Sequence, residues 1–309
     1  MLTSALAATT AASTAADPHG TGFYALMSTL YGVVEGITEF LPVSSTAHLR
    51  LCEAYTGISM ESGYWKMYSV VIQLGAILSV PVLFKERLLG LMRTFPSGNP
   101  SERVRTWYNH PLSLVMLAFF VTAGPCYLAD KYIGKNLENL YVMGAALLVG
   151  GVIMWVVDVL FTRPKVTRME DVTVLDSIWI GAVQIFSAIF PGTSRSMSTI
   201  AAGQVFSLSR PTALEFSFFL SIPTMLAATV YKLLQALAHR PKTPIEIAEF
   251  NAPPHQWAIL AIGFIVSFVV ALAVNRWFIN WVRKHGFVPF AIYRIVLGAV
   301  VLLIAGKIM

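Results

Sequence analysis

The sequence predicts an all-α polytopic membrane protein: six transmembrane helices plus two re-entrant helical hairpins in an inverted-topology repeat. Three observations carry this. Of the 309 residues, 56% are hydrophobic and only 12% charged, with a mean hydropathy of +0.67, whereas a soluble domain carries about 25% charged residues. Eight apolar stretches follow one another, at about 23–41, 67–84, 112–129, 138–161, 174–190, 212–235, 257–280 and 288–306. Two of them are broken alike, by a proline followed by hydroxyl residues. A chain this apolar cannot cover its surface in water, so lipid is its outer solvent. Disordered, collagen-like and nucleic-acid-binding classes are excluded as wholes, and membrane lipid is the expected surrounding partner.

Residues 1–22 are Ala/Thr/Ser-rich, with no Lys or Arg near the start and no sustained apolar core. They are expected to form a mobile tail rather than a cleaved signal peptide. Residues 23–309 are expected to form one integral membrane domain. Six of its apolar stretches reach or approach the roughly 20 residues a spanning helix needs. The first and fifth run instead into Leu41-Pro42-Val43-Ser44-Ser45-Thr46 and Phe190-Pro191-Gly192-Thr193-Ser194-Arg195-Ser196, and a short helical stretch follows each. Irregular backbone at membrane depth is tolerated only where protein buries it or water reaches it, which is the situation of a re-entrant hairpin.

Loop charge gives the orientation. The loops at 85–111, 162–175 and 275–287 hold eleven Lys and Arg residues, and the alternate connections hold seven. The richer set belongs in the cytoplasm. Parity then closes if both broken segments return to the side they entered from, the first from outside and the second from the cytoplasm, with both termini outside. A shift of 149 residues lays Gly32 on Gly181, Glu35 on Gln184, Pro42 on Pro191, Ser44 on Thr193 and Ser45 on Ser194. The repeats are expected at about 23–130 and 138–306, with the site near the midplane where the hairpins meet.

Chemistry concentrates on the breaks. Glu35 and Glu39 stand four residues apart in an apolar helix, hence on one face. Carboxylates at membrane depth are costly and need a proton, a cation or an arginine. The pair suits a divalent cation, or one member can serve as general base. Ser44, Ser45, Thr46 and His48 follow at once, offering caps, phosphate donors, or a hydroxyl and an imidazole for nucleophilic attack and proton transfer. Arg195 lies between Ser194 and Ser196; a buried guanidinium needs an anion and is shaped for phosphate. Gly192 allows close approach of backbone N–H groups, and Thr199 adds a hydroxyl. The class implied is phosphoryl transfer or hydrolysis governed by charge stabilisation. Cys52 and Cys126 form no framework, and no C-x-x-C or H-E-x-x-H pattern occurs.

At these residues the sequence resembles a known family. E-G-I-T-E-F-L-P-V-S-S-T-A-H (Glu35 to His48) and P-G-T-S-R-S (Pro191 to Ser196) are similar to the two signatures of bacterial undecaprenyl-diphosphate phosphatases of the BacA type. V-V-I-Q-L-G-A-I-L (Val70 to Leu78), E-F-S-F-F-L-S-I-P (Glu215 to Pro223) and P-F-A-I-Y-R (Pro289 to Arg294) resemble further segments, so the likeness covers essentially 23–306. It implies hydrolysis of undecaprenyl diphosphate to the monophosphate carrier lipid used for peptidoglycan, and an association with bacitracin resistance. It also implies a divalent cation (Mg²⁺ or Ca²⁺) and a location in the bacterial plasma (inner) membrane with the site facing outside. A homodimer is a possible assembly.

On this reading Glu39, Ser45, His48 and Arg195 are catalytic. Ser44, Thr46, Gly192, Ser194, Arg195, Ser196 and Thr199 bind substrate, and Glu35 and Glu39 bind metal. Ser45 is the preferred nucleophile, with His48 or water as rivals. Inverted repeats with broken helices also occur in transporters, so a lipid-phosphate flippase is the alternative. The other membrane lipid-phosphatase pattern (K-x6-R-P, P-S-G-H, S-R-x5-H) is absent: Gly203 stands where the Lys before Arg210 would be, and Ala201 where the His would be.

Overall fold

The computed structural model describes residues 20–58, 60, 63–96, 107–129, 139–238, 253 and 255–308. The expected tail lies, except for its last three residues, outside them. The described residues form eleven α-helices in chain order: α1 (Thr21–Thr38), α2 (Ser45–Thr56), α3 (Gly63–Leu83), α4 (Lys85–Thr94), α5 (Pro111–Ala129), α6 (Leu140–Leu160), α7 (Val174–Ile189), α8 (Arg195–Val205), α9 (Arg210–Ala238), α10 (Gln256–His285) and α11 (Val288–Ile308). Among the described residues there are no strands beyond an isolated bridge between Val166 and Leu208.

Among the described residues six helices are long and apolar enough to span a bilayer: α3, α5, α6, α9, α10 and α11. These are the six unbroken stretches of the sequence. The two broken stretches give α1 and α7, each followed by a short helix folded back along it. Tyr31 Oη lies 2.6 Å from Thr56 Oγ1 and closes α1 onto the end of α2. Trp179 stacks on Phe206 at 5.0 Å and closes α7 onto the end of α8.

Helix pairing is exchange-symmetric. Broken helix α1 packs on α10, and broken helix α7 packs on α5; α3 meets α9, and α6 meets α11. Glycines permit the close crossings. A Cβ on Gly36 would stand 2.7 Å from Ser267 O, and one on Gly181 would stand 2.5 Å from Ala118 O. Both obstacles are backbone, which cannot turn aside as a side chain can. Gly181→Ala is therefore expected to destabilise by about 1–3 kcal/mol and lower the thermal midpoint in detergent. Gly90→Ala, whose Cβ would meet nothing within 4 Å, is the control and should keep or slightly raise it, since alanine is the better helix former in α4.

The basic loops gather at one end. Arg87 Nη1 pairs with Glu170 Oε1 at 2.7 Å and Arg87 Nε with Glu215 Oε1 at 2.8 Å, joining the first loop to the second and to α9. Burial opposes the charge of Glu170, but the hydrogen bonds and the positive charge of Arg87 prevail and hold its carboxyl below the usual range. Asp158, near the end of α6, joins that helix to the start of α9 and to the third loop. Its Oδ1 accepts from Arg210 Nε at 2.6 Å and its Oδ2 from the Phe287 N–H at 2.9 Å. Asp158 is 1% exposed and ties three segments together.

Candidate active site

Both breaks are turned by a serine in an uncommon conformation. Ser44 has φ +74° and Ser194 φ +69°, a left-handed geometry that a non-glycine residue adopts at a cost of roughly 1–3 kcal/mol. Each then caps the short helix after it. Ser44 Oγ accepts from the Ala47 N–H and Ser194 Oγ from the Met197 N–H, both at 3.4 Å. The matching caps correct the register read from the sequence: Ser44 corresponds to Ser194, not Thr193, and Ser45 corresponds to Arg195. The second break holds one extra residue between its proline and its cap. Gly192 takes up the bend at φ +96°, where an added Cβ would lie 2.6 Å from Met143 O.

The two breaks face one cavity of about 120 Å³, lined by Glu39, Ser44, Ser45, Thr46, Gln73, Ser187, Pro191, Gly192, Ser194, Arg195 and Met225. The first residues of α2 and α8 both stand on its wall. Two helix N-termini thus bring partial positive charge to one place, which favours an anion. Arg195 supplies a full charge. Its Nη2 lies 3.0 Å from Glu39 Oε1, and its Cζ sits 5.4 Å from the centre of the Phe40 ring. The guanidinium is not saturated, because Nε has no hydrogen-bond partner. The other Glu39 oxygen, Oε2, accepts from Ser45 Oγ at 2.7 Å. One carboxylate thus holds both the hydroxyl and the guanidinium at the cavity wall.

Other residues expected at the site are placed differently. Ser196 Oγ donates to Leu41 O at 3.0 Å, stitching one break to the other. Thr199 lies on the buried face of α8, its hydroxyl spent on Arg195 O and on Ser217 Oγ at 2.7 Å. Glu35 is 1% exposed, one turn back along α1, and is not on the wall. Neither is His48: its Nδ1 meets Ser44 O at 2.7 Å, its Nε2 meets Tyr293 Oη at 2.6 Å, and its ring stacks on that tyrosine. Gln73 also lines the cavity.

Sequence reasoning left Arg294 without a role. It is fully buried and donates to four carbonyls: Pro42 O at 3.2 Å, Ala146 O at 3.2 Å, Gly192 O at 3.0 Å and Thr193 O at 2.9 Å. Three of these belong to the breaks, so one side chain of α11 holds both in place. Arg294→Met leaves those carbonyls buried without the donor, and a loss of about 3 kcal/mol or more is expected. Thermal unfolding in detergent reads it, and Arg294→Lys should recover only part, since an ammonium cannot span the same fork.

Residues 28–300 match the family described as bacitracin resistance protein BacA. The chain belongs to the BacA family. It is 54% identical over 278 residues to an undecaprenyl-diphosphatase of Koribacter versatilis, covering 90% of this chain and 96% of that one. It is 38% identical over 281 residues to the undecaprenyl-diphosphatase of Caldanaerobacter subterraneus, covering 90% and 96%. It is 39% identical over 274 residues to undecaprenyl-diphosphatase 2 of Paramagnetospirillum magneticum, covering 89% and 96%. The matched BacA region holds both breaks, every residue on the cavity wall and Arg294.

Proposed function

We propose that this protein hydrolyses undecaprenyl diphosphate to undecaprenyl monophosphate and phosphate, and so recycles the envelope carrier lipid and supports bacitracin resistance. The relatives' names supply the substrate. The observation that carries the chemistry is the contact of one carboxylate, Glu39, with both Ser45 Oγ and Arg195 Nη2 on the wall of a single cavity.

Arg195, the N-termini of α2 and α8, and the hydroxyls of Ser194 and Thr46 receive the diphosphate oxygens. Ser45 Oγ attacks the terminal phosphorus while Glu39 takes its proton. The bond from that phosphorus to the bridging oxygen breaks, and undecaprenyl monophosphate leaves on that oxygen. Water then attacks the phosphoserine, the bond from phosphorus to Ser45 Oγ breaks and Oγ takes up a proton from the water, which frees phosphate and Ser45; Glu39 releases its proton to solvent. Arg195 is best placed to offset charge gathering on the phosphoryl oxygens. His48, bonded to the Ser44 carbonyl and to Tyr293, would act by holding the start of α2.

The cavity's donors suit a hard divalent cation: a carboxylate (Glu39), a carboxamide (Gln73) and hydroxyls, with neither thiol nor imidazole on the wall. No group of three or more His, Cys, Asp and Glu side chains is present among the described residues. Glu39 and Gln73, with Glu35 behind them, would hold Mg²⁺ or Ca²⁺ together with substrate oxygens. Such an ion would neutralise phosphate charge in the membrane interior.

The grouping of the basic loops at one end supports a cytoplasmic end in the bacterial inner membrane. Matching caps and exchanged helix pairs support re-entrant hairpins of opposite insertion, with the cavity opening to the outside. The test is phosphate release from a polyprenyl diphosphate by the purified full chain in micelles. Release that requires Mg²⁺ or Ca²⁺ and stops with chelator is expected. No release with either cation, alongside protein-dependent lipid movement, would overturn the hydrolytic reading in favour of a flippase.

A further inference from the structure

A second polar cavity opens at the other end of α8. It measures about 470 Å³ and is lined by Leu160, Phe161, Thr162, Arg163, Gln204 and Ser207, a size in the usual range of small-molecule sites, roughly 300–1,000 Å³. From Arg195 to Gln204 the helix rises about 14 Å, and the two cavities share no wall residue. This cavity lies at the end where the basic loops gather, because Lys165 and Val166 donate their N–H groups to Ser207 O at 2.9 and 3.0 Å.

Gln204 is the informative residue. It is 1% exposed, yet neither Oε1 nor Nε2 has a hydrogen-bond partner. A buried carboxamide with nothing to bond is costly, and a ligand in the cavity would relieve the cost. The end of α8 makes no claim on it. The Ser207 N–H bonds Gln204 O and the Leu208 N–H bonds Gly203 O, each at 2.9 Å, around a turn with Ser207 at φ +66°. The wall carries one cation, Arg163, and no carboxylate; the nearby Asp158 is already held by Arg210 and the Phe287 N–H. Leu160 and Phe161 are 69% and 41% exposed where spanning helix α6 ends, so the mouth stands at the apolar–polar boundary.

The geometry points to a binding site for a phosphomonoester in this cavity. Arg163 meets its charge. Thr162, Ser207 and Gln204 Nε2 donate to its oxygens, and Gln204 Oε1 accepts the hydrogen of the monoprotonated form, which coexists with the dianion because the second pKa is about 6. Two sources share this chemistry: a lipid with a terminal phosphate, its chain leaving over Leu160 and Phe161, and free inorganic phosphate. The site is separate from the hydrolytic cavity and does not rest on the reading of that cavity.

Native mass spectrometry of the full chain in detergent tests it, with phosphatidic acid and phosphatidylcholine as probes. Phosphatidic acid should be retained in preference to phosphatidylcholine. Arg163→Ala and Gln204→Met should each weaken that retention about tenfold, with hydrolysis of polyprenyl diphosphate unchanged. Competition by inorganic phosphate, lost in the same variants, assigns the site to free phosphate; absence of competition assigns it to the lipid headgroup. Equal retention of the two lipids, or retention of phosphatidic acid unaffected by Arg163→Ala, overturns the proposal. Arg163 is exposed, so its variant folds even if Gln204→Met does not.

Discussion

Arg195→Ala is expected to lower kcat for phosphate release by about 10³-fold or more, the scale seen when a preorganised donor or arginine is removed from a phosphoryl-transfer site. No other cation stands on the cavity wall, so nothing nearby replaces it. The same change strips Glu39 of its partner. The Glu39 and Arg195 side chains are 5% and 12% exposed, and breaking a buried pair from one side costs about 3–5 kcal/mol. Lost activity alone would therefore not separate chemistry from folding. A second variant does: Glu39→Leu with Arg195→Met replaces both charges by apolar groups and should recover most of the stability. Activity should stay at the Arg195→Ala level. If the double variant regained turnover with its stability, Arg195 would be a structural ion-pair partner and its catalytic role would fall.

The sequence exposed Arg195, Glu39 and the serines because each is a polar residue where lipid should exclude it. The two prolines likewise marked breaks in otherwise continuous apolar runs, which is why the six long apolar helices were separable from the two broken stretches. Features carried by backbone left no such trace. Arg294 bonds only carbonyls, drawn from three distant segments, and no residue type at those positions announces an acceptor. The one-residue register error has the same origin: Ser44 and Ser194 match through their dihedral angles and caps, whereas the alignment followed the prolines. Nothing local announces the role of Asp158 either, because its partners, Arg210 and the Phe287 N–H, are 52 and 129 residues away. Hydroxyls were read too generously. Thr199 and Ser196 have the right chemistry for phosphate, but α8 turns them into the protein, where they bond Ser217 Oγ and Leu41 O.

Ser45→Ala is expected to reduce turnover by about 10³-fold, the combined loss of a nucleophile and its paired base, while leaving stability nearly intact. Three adjacent hydroxyls compete for the role, and geometry separates them. Ser44 Oγ is committed as a cap acceptor from the Ala47 N–H. Thr46 lines the cavity without a contact to Glu39. Ser45 alone donates to Glu39 Oε2, at 2.7 Å, so attack and proton removal can proceed from the resting arrangement. Its place as first residue of α2 also puts the phosphoryl group it would receive at a helix N-terminus, where negative charge is stabilised. A neutral denaturant quench during a single turnover with labelled substrate, under which phosphoserine and phosphohistidine both survive, should trap phosphate on the peptide containing Ser45, and the label should vanish in Ser45→Ala. Label on His48 would move the nucleophile to a residue off the cavity wall and require the His48–Tyr293 contact to open first. Turnover within about threefold of normal in Ser45→Ala, a change of under 1 kcal/mol in the barrier, would exclude a serine nucleophile and leave Glu39 activating water directly.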